Sequence, residues 1–472
     1  MSHLEVPRFP RGFLLADRPV EAPPTFVPGP LLENFWIHPW NNIEIAGDRD
    51  LFVIILGHAV PTRMDQGNDP AAALLSALAD SEHSFFQSLA EYSGRHAIIF
   101  GQPGNVSVVN DATGMRSVFY AATGGVAASH ALLVEQVLGG PIVRNDLPFR
   151  YGYPGNRTPF ERTRILTANT FYWMTANVVR RFWPLVSPAP KTVDEAATHL
   201  LEASTVALQS MARDRSVGLT LTAGLDSRAV LAVALNAGLD FHTYTYGNDS
   251  ASSVDRLVAR DLADQFGLCH VPVEQRIDDP HFNESLGESH YSLHHAGWVA
   301  SLARHFPSVD DLATIGNLLE IGRINYGPAR RAGVDAPDTA ERMTTLHYRV
   351  ISAKIKERIK KYGVNRYMEE ATAAFQGMID DTGHAHTVGL LDPFDQFYWE
   401  HRMSTWQGVA MGERDYYAVP FVPFNARSVF ESMVGVPSQD RHADKTAYRM
   451  IEMVDPELLH LPVNPSQWPL PS

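Results

Sequence analysis

The pattern of apolar and polar positions predicts a strand-rich first part of the chain. The run Leu51–Leu56 is continuously apolar and ends at Gly57, which is typical of a buried strand. Residues 71–92 have the pattern of a helix, and the prolines of residues 1–40 predict an extended, irregular arm. Five further segments are strand-like and mostly bounded by turn-forming residues: Arg95–Phe100, Val106–Asn110, Ser117–Ala121, Thr170–Met174 and Val178–Phe182. The first 185 residues therefore read as mainly β with some helix.

The pattern changes after a proline-containing stretch at 186–191, which we interpret as a linker. Thr192 and Glu195 match a capping box, and an amphipathic helix is predicted from there to about Arg213. Strands and helices then alternate: strand Val217–Thr222, helix Ser227–Asn236, strand Phe241–Tyr246, helix Ser253–Phe266 and strand Cys269–Val273. This alternation predicts a parallel α/β sheet, followed by a mostly helical region over 280–460.

Composition and charge exclude several classes of protein. Of the 472 residues, 45% are hydrophobic and 19% are charged, which is typical of a globular chain. The formal net charge of −14 argues against nucleic-acid binding, and no apolar run is long enough to span a membrane. The first residues lack a signal-peptide core, and Cys269 as the single cysteine excludes an internal disulfide. We therefore expect a cytoplasmic protein with no nucleic-acid or membrane partner, and leave a homodimer open.

The segment from Val217 to Arg228 carries the strongest chemical signal. A buried strand runs into a turn of small residues and then into a helix, so the backbone can approach a ligand closely. The amides at the helix start favour an anion, and Thr222 and Ser227 add hydroxyl groups. Such a loop can hold a diphosphate group, and Asp226 beside it can hold Mg²⁺. The alternative is an ordinary strand–helix turn capped by Asp and Ser.

Residues Thr222-Ala-Gly-Leu-Asp-Ser227 resemble the S-G-G-x-D-S diphosphate loop of the asparagine synthetase and β-lactam synthetase superfamily. Two positions depart from that motif: Thr222 keeps the hydroxyl group, and Ala223 adds a methyl group. The resemblance implies ATP and Mg²⁺ as cofactors, with Asp226 and Glu320 as metal ligands. It implies these ATP-binding residues: Leu221, Thr222, Gly224, Asp226, Ser227, Tyr246, Gly247, Gly316 and Arg427.

Later motifs extend the resemblance. The segment from Gly316 to Glu320 stands where the superfamily has its second metal ligand, with Asn317 in place of an acidic or tyrosine residue. The segment Lys445–Arg449 resembles the K-x-x-x-R signature, which implies that Lys445 is a buried cation stabilising charge near the phosphate. Glu400 lies on an aromatic and charged helix and is a candidate general base or substrate contact. The alternative for that helix is core packing, and Arg414 is a further candidate phosphate partner.

Residues 93–120 resemble two strands of the superfamily's glutaminase domain. That domain begins Met-Cys-Gly, whereas this sequence begins Met1-Ser2-His3, so glutamine hydrolysis is not expected. Ser2 is a much weaker nucleophile, and its neighbours do not match. The implied architecture is an αββα sandwich like that of N-terminal-nucleophile hydrolases over 1–185. An adenine-nucleotide α-hydrolase-like parallel α/β domain with extra helices then follows over 192–472.

The resemblance implies an ATP-dependent carbon–nitrogen ligase that forms an acyl-adenylate and releases AMP and diphosphate. The expected substrates are a small-molecule or peptide carboxylate and a substrate amine, as in β-lactam synthetases and lasso-peptide cyclases of antibiotic biosynthesis. Two alternatives stay open: an asparagine synthetase-like amidotransferase using free ammonia, and a catalytically inactive scaffold. A tRNA-modifying pyrophosphatase is disfavoured by the net charge.

Overall fold

The computed structural model describes residues 7–247, 250–275, 280–333 and 335–468, so Met1, Ser2 and His3 lie outside the described residues. It contains two six-stranded antiparallel sheets and one five-stranded parallel sheet. The strands are β1 (Phe13–Ala16), β2 (Val27–Pro28), β3 (Phe35–Ile37), β4 (Ile43–Gly47), β5 (Phe52–Pro61), β6 (Tyr92–Gln102), β7 (Asn105–Asn110), β8 (Phe119–Ala121), β9 (Val126–Ala128), β10 (Thr163–Ile165), β11 (Thr170–Trp173), β12 (Val178–Arg181), β13 (Val217–Thr220), β14 (His242–Tyr246), β15 (His270–Val273), β16 (Leu312–Thr314) and β17 (Val419–Phe421).

Helices cover the sheets and form most of the region after 280. The α-helices are α1 (Pro70–Asp80), α2 (Glu82–Leu89), α3 (Ala131–Leu138), α4 (Val193–Ala212), α5 (Leu225–Asn236), α6 (Ser250–Gln265), α7 (Pro280–Ser289), α8 (Ala296–His305), α9 (Gly327–Arg331), α10 (Ala340–Val350), α11 (Ala353–Tyr362), α12 (Val364–Thr382), α13 (Pro393–Gln396), α14 (Val409–Gly412), α15 (Arg427–Val434), α16 (Ser438–His442) and α17 (Lys445–Val454). A π-helix spans Phe397–Gly408, and short 3₁₀ helices span Met64–Gln66, Met174–Ala176, Leu319–Gly322, His384–Thr387, Glu413–Tyr416 and Pro456–Leu459. Within the described ranges, no helix is both long and apolar enough to cross a membrane.

The antiparallel part is built in four layers. The two sheets have the orders β10-β8-β9-β1-β3-β2 and β12-β11-β7-β6-β5-β4, and apolar side chains from both sheets share one core. The outer face of the second sheet packs against α1 and α2, and the outer face of the first packs against α3. The order is therefore helix, sheet, sheet, helix.

Two expectations for this part are wrong. The N-terminal arm contains β1, whose four residues are all buried and pair with β3 and β9, because Phe13 and Leu15 pack between the sheets while Leu14 and Ala16 pack in the core with α3. The single helix predicted over 71–92 is two helices. Ser81 has an extended backbone, and its hydroxyl accepts the Ser84 N–H at 3.0 Å, so it ends α1 and caps α2.

The parallel sheet has the order β15-β14-β13-β16-β17, with α4 and α5 packed in its main core. The predicted strands, the helices and the capping box of Thr192 and Glu195 are confirmed to within a few residues. Strands β16 and β17 were not predicted, since each has only three residues within a helix-rich stretch.

Polar contacts join the antiparallel part to the later helices. The Asn425 side-chain amide donates to the Gly94 carbonyl at 2.6 Å, and the Ser93 hydroxyl donates to the Pro423 carbonyl at 3.0 Å. Antiparallel pairing ends with β12, and parallel pairing begins with β13. The boundaries proposed at 185 and 192 fall between these strands and stay a prediction.

Candidate functional site

A cavity opens at the carboxyl ends of the parallel strands, where the segments after β13, β14 and β16 meet. It has a volume of about 320 Å³ and is partly open to solvent. That volume lies within the roughly 300–1,000 Å³ range of small-molecule sites. The cavity is lined by Thr220, Thr222, Ser227, Tyr244, Thr245, Tyr246, His294, His295, Ile315, Gly316, Asn317, Trp406, Gln407 and Arg414. Four of the residues proposed for ATP binding are therefore brought together here: Thr222, Ser227, Tyr246 and Gly316.

The loop between β13 and α5 is a compact turn held by its own hydroxyl groups. Thr222 Oγ1 accepts the Gly224 N–H at 3.1 Å and lies 3.1 Å from Ser227 Oγ. Ser227 Oγ accepts the Thr222 N–H at 3.2 Å and contacts the Gly224 carbonyl at 3.0 Å. Because α5 begins at Leu225, the amides of its first turn have no partner within the helix. The arrangement leaves donors and the positive end of the helix dipole at the turn beside the cavity.

Glycine at position 316 is required by close packing against this loop. A Cβ atom built there would lie 2.5 Å from the Asp226 carbonyl oxygen and 2.7 Å from the Ser227 nitrogen. Both are backbone atoms that cannot turn away. The segment after β16 therefore lies directly against the start of α5.

The remaining loop and strand-end residues support the cavity wall. Leu221 is 1% exposed, and its carbonyl accepts the Thr245 hydroxyl at 2.5 Å. Gly224 precedes α5, and Gly247 has a φ of +137° and accepts a bond from Arg256 through its carbonyl. These three residues hold the loop and the end of β14 in place but do not line the cavity.

The two proposed metal ligands lie close together beside the cavity. Burial and the neighbouring carboxyl group of Glu320 raise the pKa of Asp226 to about 8, against the opposing influence of Arg323. Arg323 forms an ion pair with Asp226 and a second one with Asp444, at 2.8 Å from its Nε to Asp444 Oδ1. Three carboxyl groups, those of Asp226, Glu320 and Asp444, thus share a site with the one guanidinium of Arg323.

This pair fits a divalent cation by its donor chemistry. The Glu320 Oε2 atom is buried and has no hydrogen-bond partner in the described protein, so one oxygen is left for a ligand. Mg²⁺ is commonly held by one or two carboxylates together with substrate phosphates. Across the described residues, no group of three or more His, Cys, Asp or Glu side chains forms a metal site, so two protein ligands are the number available here.

Arg414 supplies a cation to the cavity wall. Its side chain is buried, and its Nη1 and Nη2 donate to the Tyr417 hydroxyl at 2.8 Å and the Tyr246 hydroxyl at 3.1 Å. His294 and His295 also line the cavity, and their backbone amides donate to the Glu413 carboxylate at 2.6 Å each. Nothing in their spacing from the loop between β13 and α5 marks them in the sequence.

Lys445 differs from its expected environment. Its side chain is 57% exposed and forms an ion pair with Asp440 at 2.6 Å, so the expectation of a buried lysine is wrong. The reason is its position as the first residue of α17, where the side chain turns to a neighbouring carboxylate. Its neighbour Asp444, which precedes the motif, forms an ion pair with Arg323 through its side chain and so contacts the Asp226 cluster.

Glu400 and Arg427 lie outside the cavity. Glu400 is buried and paired in a bidentate manner with Arg181 at 2.5 and 2.9 Å, and it also accepts from Asn169 at 3.2 Å. Arg427 donates to Asn169 Oδ1 at 2.9 Å, and its guanidinium lies 4.6 Å from the Phe182 ring centre. Both side chains contact residues of the antiparallel part. We therefore do not retain Glu400 as a general base or Arg427 as a nucleotide ligand.

Comparison with known proteins gives a match of part of the chain to one family model and distant likenesses to solved structures. Residues 197–281 match the family model described as asparagine synthase, and no curated protein matches the chain. A glutamine-dependent NAD⁺ synthetase from Acinetobacter baumannii, solved with adenosine diphosphate, is 14% identical over 34% of this chain and 32% of its own. A glutamine phosphoribosylpyrophosphate amidotransferase from B. subtilis, solved with ADP and GMP, is 11% identical over 58% of this chain and 63% of its own.

Both structural likenesses have a TM-score of 0.19, which is too low to carry an argument about fold or activity. This chain covers less than two thirds of either structure. The family match is independent of them, and it spans β13, the loop, α5, β14, α6 and β15.

Proposed function

We propose that this chain, whose residues 197–281 match the family model described as asparagine synthase, is an ATP-dependent amide-forming ligase. The observation that carries the proposal is the cavity at the carboxyl edge of the parallel sheet. The family-matched loop with Thr222 and Ser227 forms one of its walls, and the cationic Arg414 forms another. A nucleotide with its phosphates on the loop would place negative charge beside the Thr222 and Ser227 hydroxyl groups and beside Arg414.

The proposed reaction has two steps. A substrate carboxylate oxygen bonds to the α-phosphorus of ATP, the bond to the bridging oxygen breaks, and diphosphate leaves. An amine nitrogen then bonds to the acyl carbon, AMP leaves with the carbon–oxygen electron pair, and the amine loses a proton. Dividing the condensation in this way replaces one difficult step with two easier ones.

The residues of this chain would bind and orient the phosphates. The amides of the first turn of α5 and the Thr222 and Ser227 hydroxyl groups would donate to diphosphate oxygens. Asp226 and Glu320 would hold Mg²⁺, which supplies charge neutralisation of the phosphates when bound. Because Arg323 now pairs with Asp226, cation binding requires that this ion pair loosen, and Asp444 provides Arg323 with a second partner.

We propose that the amine comes from the substrate and not from glutamine. Residues 1–268 contain no cysteine, and Cys269 is exposed and lies just before β15, in the parallel part. No thiol of the antiparallel part is thus present to attack glutamine. β-Lactam synthetase-like or lasso-peptide cyclase-like ring closure is the form of this reaction that needs no separate amine.

A second function, that of a nucleotide-free scaffold, is favoured by contacts that already satisfy the loop. Asp255 Oδ1 accepts the Ala223 N–H at 3.0 Å, and the Asn464 N–H donates to the Ala223 carbonyl at 3.0 Å. The Arg323 guanidinium also already occupies the place beside Asp226 that a metal ion would take.

The test is AMP and diphosphate formation from ATP and Mg²⁺ in the presence of amine-bearing carboxylic acids. The ligase predicts AMP with such an acid and without ammonium, and loss of AMP in Asp226→Ala. The matched control is Asp194→Ala, an exposed carboxylate on α4. AMP that forms only with added ammonium would identify an amidotransferase, and no nucleotide binding would identify a scaffold.

A further inference from the structure

A second, smaller cavity lies where β17 and α4 meet the antiparallel part. It has a volume of about 20 Å³ and is lined on its polar side by Arg11, Arg95, Arg116, Asn41, Asn42 and His58. Its other lining residues are Gly57, a methionine and the three residues of β17, so no carboxylate lines it. Three guanidinium groups therefore surround a space with no acidic side chain of its own.

The few carboxylates near this cavity already accept hydrogen bonds or form ion pairs. Asp415 accepts both guanidinium bonds of Arg95, at 2.6 and 3.0 Å, and lies farther from Arg116 Nη1, at 3.6 Å, and from Arg11 Nε, at 3.9 Å. Asp111 accepts backbone amides, among them that of Arg116 at 2.6 Å. Asp415 is thus shared by three arginines, and the second buried carboxylate, Asp111, is engaged by backbone amides.

The outer carboxylate of this region is Asp310, which is 78% exposed. It lies 3.6 Å from Arg11 Nη2, where solvent screens its charge. It therefore adds little to the pairing of the buried guanidinium groups.

Two of the arginines also have unused donors. In the described protein, the buried Nε–H groups of Arg11 and Arg116 have no hydrogen-bond acceptor. Both side chains line the cavity and are no more than 6% exposed. A buried N–H without an acceptor costs roughly 1–3 kcal/mol, and the cost is greater for a charged group. The environment therefore favours any acceptor that the space admits.

Charge and size together select the ligand. A cavity holds a single water when its volume is at least about 10–15 Å³, so this one has room for an atom-sized ligand. A water would accept a hydrogen bond but carries no negative charge, whereas an anion would also be attracted by the three guanidinium groups. We propose that the cavity binds one monatomic anion, chloride in solution, held by the guanidinium groups of Arg11, Arg95 and Arg116.

The direct test is a crystal soaked in sodium bromide, with diffraction data collected for the anomalous signal of bromine. The proposal predicts an anomalous peak in this cavity, within hydrogen-bond distance of guanidinium nitrogens of Arg11 or Arg116. Density of water without an anomalous peak, or bromide peaks on the surface only, would overturn it. This experiment uses the wild-type chain, so it does not depend on the folding of a variant.

The solution test compares the melting temperature in sodium chloride and in sodium gluconate at equal ionic strength. Chloride should raise the melting temperature by about 1–3 °C in a saturable manner, and bromide should do the same. The shift should disappear in Arg116→Lys, whose ammonium lacks the Nε–H. It should persist in Arg181→Lys, a buried arginine paired with Glu400 away from this cavity. Equal melting temperatures in the two salts for the wild type would contradict the proposal.

Discussion

Replacement of Asp226 by asparagine should remove a large pH dependence of stability. The folded-state pKa of this carboxyl group is about 8, against an ordinary value of 3.8. At pH values between 3.8 and about 8, Asp226 keeps a proton in the folded chain that it has lost in the unfolded chain. The contribution of this carboxyl group to stability is therefore greatest below pH 4 and falls as the pH rises towards 8. The slope is about 1.4 kcal/mol per pH unit. From pH 5 to pH 8, the wild type should lose about 4 kcal/mol more than Asp226→Asn, whose side chain does not titrate.

The assay is urea unfolding at pH 5 and pH 8, followed in parallel by tryptophan fluorescence and circular dichroism so that coincident transitions can be required. Asp194→Asn serves as the control, because Asp194 is 74% exposed, and it should keep the wild-type slope. Adding Mg²⁺ at pH 8 should stabilise the wild type and not Asp226→Asn, since a metal binds the ionised carboxyl group. Equal slopes in the wild type and Asp226→Asn would refute the reasoning and would mean that Arg323 keeps Asp226 ionised.

Three further substitutions test the surroundings of the site. Gly316→Ala should destabilise the chain by about 1–3 kcal/mol and weaken nucleotide binding, because the new Cβ would lie 2.5 Å from the Asp226 carbonyl oxygen. Thermal unfolding measures the first effect, and a nucleotide titration measures the second. Arg323→Met should raise the affinity for Mg²⁺ by at least about tenfold, since the competing cation is removed, and calorimetric titration measures it. Glu400→Gln should lower the free energy of unfolding by about 3–5 kcal/mol, because Arg181 loses its buried partner. The affinity for ATP should stay unchanged. A loss of both stability and ATP affinity would indicate that Glu400 belongs to the site.

The parts of the site that are local in sequence could be predicted. Thr222, Asp226 and Ser227 stand in one strand–turn–helix segment, and the small residues between them permit only a tight turn. The alternation of strands and helices after Val217 likewise predicts a parallel sheet, and such sheets place their ligand sites at the carboxyl ends of the strands.

The parts that depend on long-range packing could not be predicted. Arg323 reaches Asp226 across 97 residues, and Arg414 reaches Tyr246 across 168 residues. Glu400 looked available for chemistry because its partner Arg181 is 219 residues away. Such contacts cannot be predicted from the local sequence pattern. A glutamate in a buried ion pair cannot be distinguished from a catalytic glutamate by sequence alone.

The structure of the N-terminal arm likewise could not be predicted from the local sequence. Prolines favour irregular structure locally, yet the four residues of β1 are fully buried between two neighbouring strands. Burial of this apolar segment overrides the local preference.

The account depends most directly on binding of ATP together with Mg²⁺ at the loop between β13 and α5. Isothermal titration of ATP with Mg²⁺ into the wild type, Asp226→Ala and the control Asp194→Ala measures this. We predict one site per chain in the wild type and the control, with affinity at least about tenfold weaker in Asp226→Ala or with Mg²⁺ removed by chelation, a loss of about 1.4 kcal/mol. No binding to the wild type, or equal affinity in all three proteins, would contradict the account.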